Sequence, residues 1–279
     1  AGEGVHTVSY TYTEPTTGCS RTVNFSLTVH PLPMIDFPDP APICEGSGLF
    51  SLSATPAGGS FSGPNVTGAS FDASTATAGQ YTVYYEYTDG HSCTNIDSAV
   101  ITVNPLPIAE AGADTSVCPG GCVALQASGG VSYLWSNGYK YAGFNACPQQ
   151  STTYYVTVTG SNGCKDVDSV NVVVHPSPLA EAGMNDTICL GESTTLSASS
   201  AGAGASYSWS NGQSGQSISV SPASTTNYKL TVTSVNGCTA TDQVKVVVRA
   251  LPVATAGPDT AICPGECVVL TAGGGTSYH

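Results

Sequence analysis

Residues 182–248 read AGMNDTICLGESTTLSASSAGAGASYSWSNGQSGQSISVSPASTTNYKLTVTSVNGCTATDQVKVVV, and the chain on either side is built from approximate copies of this stretch. Cysteines give the period. Cys44, Cys118, Cys189 and Cys263 follow one another at nearly equal intervals, and Cys19, Cys93, Cys164 and Cys238 repeat that series. Two cysteines therefore recur once per unit, which marks a repeat architecture. The 279 residues divide into a closing half unit at 1–30, whole units at 31–104, 105–175 and 176–249, and an opening half unit at 250–279.

Inside the quoted stretch, SYSW at 206–209, TNYKLTVT at 226–233 and TDQVKVVV at 241–248 alternate polar and apolar residues, the period of a half-buried strand. Asn211-Gly212 and Asn236-Gly237 punctuate these runs as tight turns. Unit two repeats the pattern as VSYLWSNG, TTYYVTVTGSNGC and DSVNVVV, whereas unit one substitutes the glycine-rich GGSFSGPNVTGASFDASTATAGQ before YTVYYEYTDG. About seven short strands per unit with regular turns predict a β-sandwich. Trp135 and Trp209 lie on such strands and are read as core residues, with an exposed ligand-binding platform as the other reading. The linkers HPLP at 30–33, NPLP at 104–107, HPSP at 175–178 and RALP at 249–252 are proline-bearing and extended. The expected fold class is all-β: tandem β-sandwiches, pinned by disulfides, in a linear rod of order 150 Å, about the length that typical strands and loops imply.

Composition excludes several functions. Net charge is -13 with six Lys and Arg, so no basic surface can neutralise nucleic-acid phosphates or anionic lipid. No apolar run approaches the ~20 residues needed to span a bilayer, so no membrane insertion is expected. His6, His30, His91, His175 and His279 fall in no catalytic motif, and no enzyme activity is expected. Eleven cysteines at a fixed period in units of marginal core size point to disulfides in an oxidising, extracellular setting.

Units one and three carry two cysteines each, which pairs Cys44 with Cys93 and Cys189 with Cys238; equivalence then pairs Cys118 with Cys164 and leaves Cys122 for Cys147. Each bridge is worth roughly 4 kcal/mol in the chain-entropy account. Cys118 with Cys122 and Cys263 with Cys267 have the close spacing of half a zinc site, but the other ligands are missing. No cofactor is expected. Asp166 and Asp168 alternate on one strand and suit either a solvated face or a structural calcium site, although their unit-three counterparts are Ala240 and Asp242.

AGPDTAICPG at 256–265, SYSWSNG at 206–212, SPASTTNY at 221–228 and VTSVNGCTATD at 232–242 resemble the PKD-like and immunoglobulin-like repeats of very large surface proteins of gliding and related Bacteroidota. The resemblance covers units two and three and the final half unit, with residues 1–104 similar to a sister repeat type. It implies type IX secretion and service as the shaft of a cell-surface adhesin or fibre. Asp97-Ser98-Ala99, Asp168-Ser169-Val170, Asp186-Thr187-Ile188 and Asp259-Thr260-Ala261 resemble the O-glycosylation signal of that phylum, which makes Ser98, Ser169, Thr187 and Thr260 candidates; local backbone hydrogen bonding is the competing reading. Asn24, Asn65 and Asn185 begin N-x-Ser/Thr triplets.

The functional expectation is thus an extracellular structural or adhesive repeat region. Its partners are neighbouring repeats of the same polypeptide, further copies in a fibre, and surface polysaccharide or other cells. The alternative is a set of glycan-binding accessory modules of a secreted hydrolase. The unpartnered Cys19, Cys263 and Cys267 suggest a section of a longer polypeptide, with strand exchange between copies as the rival.

Overall fold

A computed structural model describes residues 2–275. His279 lies outside that range. The chain is all-β, with strands β1 (Gly4–Thr13), β2 (Ser20–Val29), β3 (Ile43–Cys44), β4 (Leu49–Ser51), β5 (Ser60–Ser62), β6 (Val66–Thr67), β7 (Ser70–Asp72), β8 (Gly79–Thr88) and β9 (Thr94–Asn104) in its first part. There follow β10 (Thr115–Val117), β11 (Val123–Gln126), β12 (Ser132–Trp135), β13 (Gly143–Ala146), β14 (Thr152–Thr159) and β15 (Lys165–Val174). The remainder holds β16 (Asp186–Cys189), β17 (Thr194–Ser197), β18 (Ser206–Trp209), β19 (Ser217–Val220), β20 (Thr226–Thr233), β21 (Thr239–Arg249), β22 (Thr255–Ala256) and β23 (Ala272–Gly273).

Three sandwiches recur with one topology. Each has a four-stranded sheet, in the orders β3-β9-β8-β5, β10-β15-β14-β12 and β16-β21-β20-β18, and a smaller one, β4-β7-β6, β11-β13 or β17-β19. The first strand of each large sheet pairs parallel to the end of the last, as Ile43↔Val103, Val117↔Val174 and Ile188↔Val248. A parallel first-to-last pairing beside antiparallel hairpins, with a buried Trp on the third strand of the second and third copies, is an immunoglobulin-like arrangement. By contacts the chain forms two compact units: residues 1–112, 126–144 and 155–169, and residues 113–125, 145–154 and 170–279. The division runs through the middle sandwich.

Alternation dictates the cores. On β20, Tyr228, Leu230 and Val232 are buried while Asn227, Lys229 and Thr231 face outward or lie half-buried, and on β21 Val244 and Val246 complete the same layer with Trp209, Leu196 and Ile218. Burying each such aliphatic side chain contributes about 1.5–3 kcal/mol. In the first sandwich Phe37, Phe61 and Tyr85 cluster with centroids 4.6–6.2 Å apart in place of an indole. Tyr85 donates its hydroxyl to Pro56 O at 2.6 Å and accepts from Gly59 N at 2.7 Å.

The Asn-Gly turns form as tight reversals. Gly138 and Gly212 have φ of 86° and 84°, which a residue with a Cβ adopts at a cost, while Asn137 and Asn211 cap the turn by accepting from the amide two residues on at 3.1 Å. The expected seventh strand is absent from the second and third sandwiches, which have six strands each among the described residues. After the linker the chain is held by isolated backbone bonds, such as Ser128 N to Glu110 O at 2.9 Å and Ser199 N to Glu181 O at 3.0 Å, and by side chains. Asp97, Asp168 and Asp242 accept from the amides of Phe37, Ala111 and Ala182 at 3.2, 2.7 and 2.8 Å, and Asp39, Asp114 and Asn185 accept from Val100, Asn171 and Lys245 at 2.6, 2.8 and 2.8 Å. Side-chain acceptors, mostly carboxylates, thus stand in for much of a continuous ladder.

Outside the three sandwiches, β1 and β2 form a ten-pair antiparallel hairpin whose Val8, Tyr10, Phe25 and Leu27 are exposed. Residues 250–275 hold only the two-pair ladder of β22 with β23.

Candidate functional site

The cysteines do not pair as their spacing within units suggests. Cys44 is bonded to Cys164 and Cys118 to Cys238, each across a sequence separation of 120, with Cα–Cα distances of 5.7 and 5.4 Å. Cys93 and Cys189 have free thiols. The expected Cys44–Cys93, Cys118–Cys164 and Cys189–Cys238 bonds are therefore replaced by bonds from one sandwich to the next. Cys122–Cys147 is bonded within the middle sandwich, as the sequence predicts, with a Cα–Cα distance of 4.2 Å.

Strand length is the reason. Cys44 pairs in register with Asn104, at the end of the eleven-residue β9, while Cys93 immediately precedes the start of that strand. About ten steps at ~3.3 Å put roughly 33 Å between them, whereas a disulfide needs Cα atoms within about 7 Å. The third sandwich has the same geometry: Cys189 pairs with Arg249 at the end of β21 and Cys238 immediately precedes Thr239 at its start. In each sandwich the first cysteine sits at one end and the second at the other.

The second cysteine is presented by a closed turn. Gly160 N donates to Cys164 O at 2.8 Å, Cys164 N donates to Asn162 Oδ1 at 3.1 Å, and Gly163 takes φ of 83°. In the third sandwich Ser234 N donates to Cys238 O at 2.8 Å and Cys238 N to Ser234 Oγ at 3.2 Å. Asn162 also donates through Nδ2 to Pro105 O at 2.8 Å, which ties the turn to the linker beside it. Cys164 and Cys238 are each 1% exposed, so two of the bridges are anchored in packed surroundings.

Cys93 occupies the same kind of turn. Asp89 N donates to Cys93 O at 3.0 Å, and Asp89 Oδ1 accepts from Cys93 N at 2.9 Å and from His91 N at 2.8 Å. The hydrogen bond from the Cys93 amide, helped by the His91 amide and by the charges of His91 and His30, holds the Asp89 carboxyl below the usual range against an opposing desolvation. Ser92 stands where the other turns have glycine and takes φ of 65°. The rings of His30 and His91 stack with centroids 3.9 Å apart. Cys263, in the final stretch, has the turn of Cys189: Glu266 Oε2 accepts from Cys263 N at 3.1 Å as Glu192 Oε2 accepts from Cys189 N at 2.8 Å.

Other candidates resolve one by one. Trp135 and Trp209 are 1% and 2% exposed and donate through Nε1 to Tyr141 O and Gly215 O at 3.1 Å, so the tryptophan platform gives way to core indoles. Asp168 is committed to the Ala111 amide, and Asp166 accepts from Val167 N at 2.8 Å and Ala109 N at 3.4 Å. Among the described residues no group of three or more His, Cys, Asp and Glu side chains could hold a metal ion. Cys118 and Cys122 are each in a disulfide, while Cys263 and Cys267 are free and exposed. Ser98 on β9, Ser169 on β15, Thr187 on β16 and Thr260 are all exposed. Asn65 and Asn185 use their side chains internally, Asn65 donating to Asp72 O and Thr75 Oγ1. No helix among the described residues is long and apolar enough to cross a membrane.

No family model matches the sequence, and no curated protein matches it. Among solved structures, it is similar to the N-terminal eight Ig domains of Down Syndrome Cell Adhesion Molecule isoform 1.30.30, at 16% identity over 94% of this chain and 48% of that one, with a TM-score of 0.26. A Ca2+-stabilized adhesin that helps an Antarctic bacterium bind ice matches at 14% identity over 88% of this chain and 82% of that one, with a TM-score of 0.32. The I9–I11 tandem from titin matches at 14% over 78% and 100%, with a TM-score of 0.29. The chain spans about half the length of the first of these. These values assign no function to this chain.

Proposed function

We propose that this chain is an extracellular structural and adhesive repeat region, the shaft of a bacterial cell-surface adhesin or fibre. The observation that carries the reading is the pair of disulfides joining successive sandwiches, Cys44–Cys164 and Cys118–Cys238. Such bonds persist in an oxidising compartment, and they tie repeat to repeat where an enzyme would build a pocket. The unit boundaries at 31–104, 105–175 and 176–249 and the half units at 1–30 and 250–279 belong to this reading. The sequence resemblance to PKD-like repeats of Bacteroidota supports export by the type IX route and glycans on Ser98, Ser169, Thr187 and Thr260.

Neighbouring repeats are the first partners in this scheme. Cys93 and Cys189 hold the same places as the bonded second and first cysteines, so each is a site for a cysteine of a further repeat of this kind. Immunogold labelling of the producing cells tests the location: label outside the envelope is expected, and label confined to the cytoplasm overturns it. The alternative, glycan-binding modules, keeps Tyr139 and Tyr141 as its exposed aromatic surface. Titration with soluble polysaccharides separates the two, since a spacer gives no saturable heat and a binding module does. Intact mass of native material equal to the bare 28.1 kDa polypeptide would exclude both glycans and a longer parent.

A further inference from the structure

We propose that the three disulfides together form a covalent shortcut between Cys44 and Cys238, so that pulling the chain cannot draw out the backbone of whole repeats between these two cysteines. The property follows from connectivity and holds whatever the chain adheres to. Cys118 lies inside the loop closed by Cys44–Cys164, and Cys164 lies inside the loop closed by Cys118–Cys238. The two loops therefore overlap along the shared segment 118–164. Cys122–Cys147 falls wholly within the shared segment 118–164.

Along the backbone, the route from Cys44 to Cys238 runs through all three sandwiches. Through the bridges the path is far shorter: across to Cys164, back along the chain to Cys147, across to Cys122, back to Cys118, and across to Cys238. Of the backbone, only segments 147–164 and 118–122 lie on it. At ~3.4 Å per residue, full extension is roughly 70 Å by this path and roughly 660 Å along the chain. A tethered load goes taut on the shortest covalent route, and the backbone that folds the first and third sandwiches between the two outer cysteines lies off that route. The Cys122–Cys147 bond thus has a role beyond its own sandwich. Without it the route takes in the whole segment from Cys118 to Cys164, roughly 155 Å when extended.

Reduction reverses the lock. Each bridge takes two electrons and two protons from a dithiol and yields two thiols, the dithiol closing to its own disulfide.

Single-molecule stretching of the full chain, with handles fused beyond both ends, reads the path directly. In the oxidised chain the lengthening between Cys44 and Cys238 is capped at the ~70 Å route, and no step near the ~250 Å expected for one freed repeat occurs in that span. With dithiothreitol such steps appear. In the oxidised Cys122→Ser/Cys147→Ser variant the cap rises by roughly 85 Å, the extended length of the segment that the bond had bypassed. Full repeat-length steps from the oxidised parent, or an unchanged cap in the double variant, overturn the proposal. So does a non-reducing peptide map of the parent that lacks the Cys44–Cys164 or Cys118–Cys238 cross-linked peptide, a measurement independent of whether the variant folds.

Discussion

The middle and third sandwiches are near copies that close their small sheets by different chemistry. In the middle one, Cys122 and Cys147 bracket the β11–β13 pair with a covalent bond. In the third, Ser193 and Ser221 occupy those places, and hydrogen bonds serve instead: Ser197 Oγ to Ser217 Oγ at 2.9 Å across β17–β19, and Thr194 Oγ1 to Asp186 Oδ2 at 2.5 Å from β17 to β16. The large sheet, the indole and the carboxylate straps are common to both. The fold is therefore specified by the shared layer, and the small sheet is where one repeat differs from the next in strength.

Substitution at the shared layer should hurt both copies alike. Trp135→Ala and Trp209→Ala each remove a fully buried indole with its Nε1–H bond, and each should lower the stability of its own sandwich by about 3–5 kcal/mol, read by hydrogen exchange in peptides from 115–174 and 186–249. A much smaller loss at either site would mean the two cores are not equivalent. The small sheet should separate them. Cys122→Ser/Cys147→Ser should cost the middle sandwich about 3 kcal/mol in the same assay, while the third stays unchanged. The reverse graft, Ser193→Cys/Ser221→Cys, should raise the third toward the middle and add a cross-linked peptide to a non-reducing map.

The straps give a middle-sized effect. Asp168→Ala and Asp242→Ala leave the amides of Ala111 and Ala182, both 1% exposed, without their acceptors, and about 1–3 kcal/mol should be lost in each case. Asparagine at either position, which keeps an acceptor, should recover most of it. Smallest is a pH effect that separates the third sandwich from the middle one. Hydrogen bonds from the Thr194 hydroxyl and then the Thr187 amide outweigh desolvation and hold the Asp186 carboxyl below its ordinary value. A lowered folded pKa adds stability that is present above the unfolded carboxylate range and is lost as pH falls through the folded value. Thr115 stands at this place in the middle sandwich. Acid denaturation, followed from neutral pH down through the carboxylate range, should show a steeper acid limb for 186–249, and Asp186→Asn should flatten it; an unaltered limb would remove Asp186 as its source.

Much of this was legible in the sequence because it is local. Alternation along TNYKLTVT and TDQVKVVV, glycine at the turn positions and the recurring tryptophan each depend on a few neighbouring residues. The cysteine pairing was not legible from the period, because a period identifies equivalent positions without saying whether a bond stays inside one copy. Cys44 to Cys93 and Cys44 to Cys164 repeat equally well along the chain. The needed signal was the length of the run from Thr94 to Asn104, which works as a ruler between the two cysteines. The straps escaped for a related reason: Asp97, Asp168 and Asp242 act on amides far earlier in the chain, those of Phe37, Ala111 and Ala182, and their recurrence was the only trace. The same remoteness makes Asp166 and Asp168 read as a solvated or calcium-binding face, although Asp168 faces a buried backbone.

The separation of the two cysteines within each sandwich also orders events during biogenesis. As the chain emerges, Cys93 follows Cys44 well before Cys164 has been made. An unfolded chain oxidised at that moment would join the nearer pair. Folding of a small β domain takes milliseconds to seconds, whereas disulfide formation takes seconds to hours, and a folded first sandwich holds its two thiols roughly 33 Å apart. A folded repeat thus holds its own two thiols apart and leaves each of them for a cysteine of a neighbouring repeat.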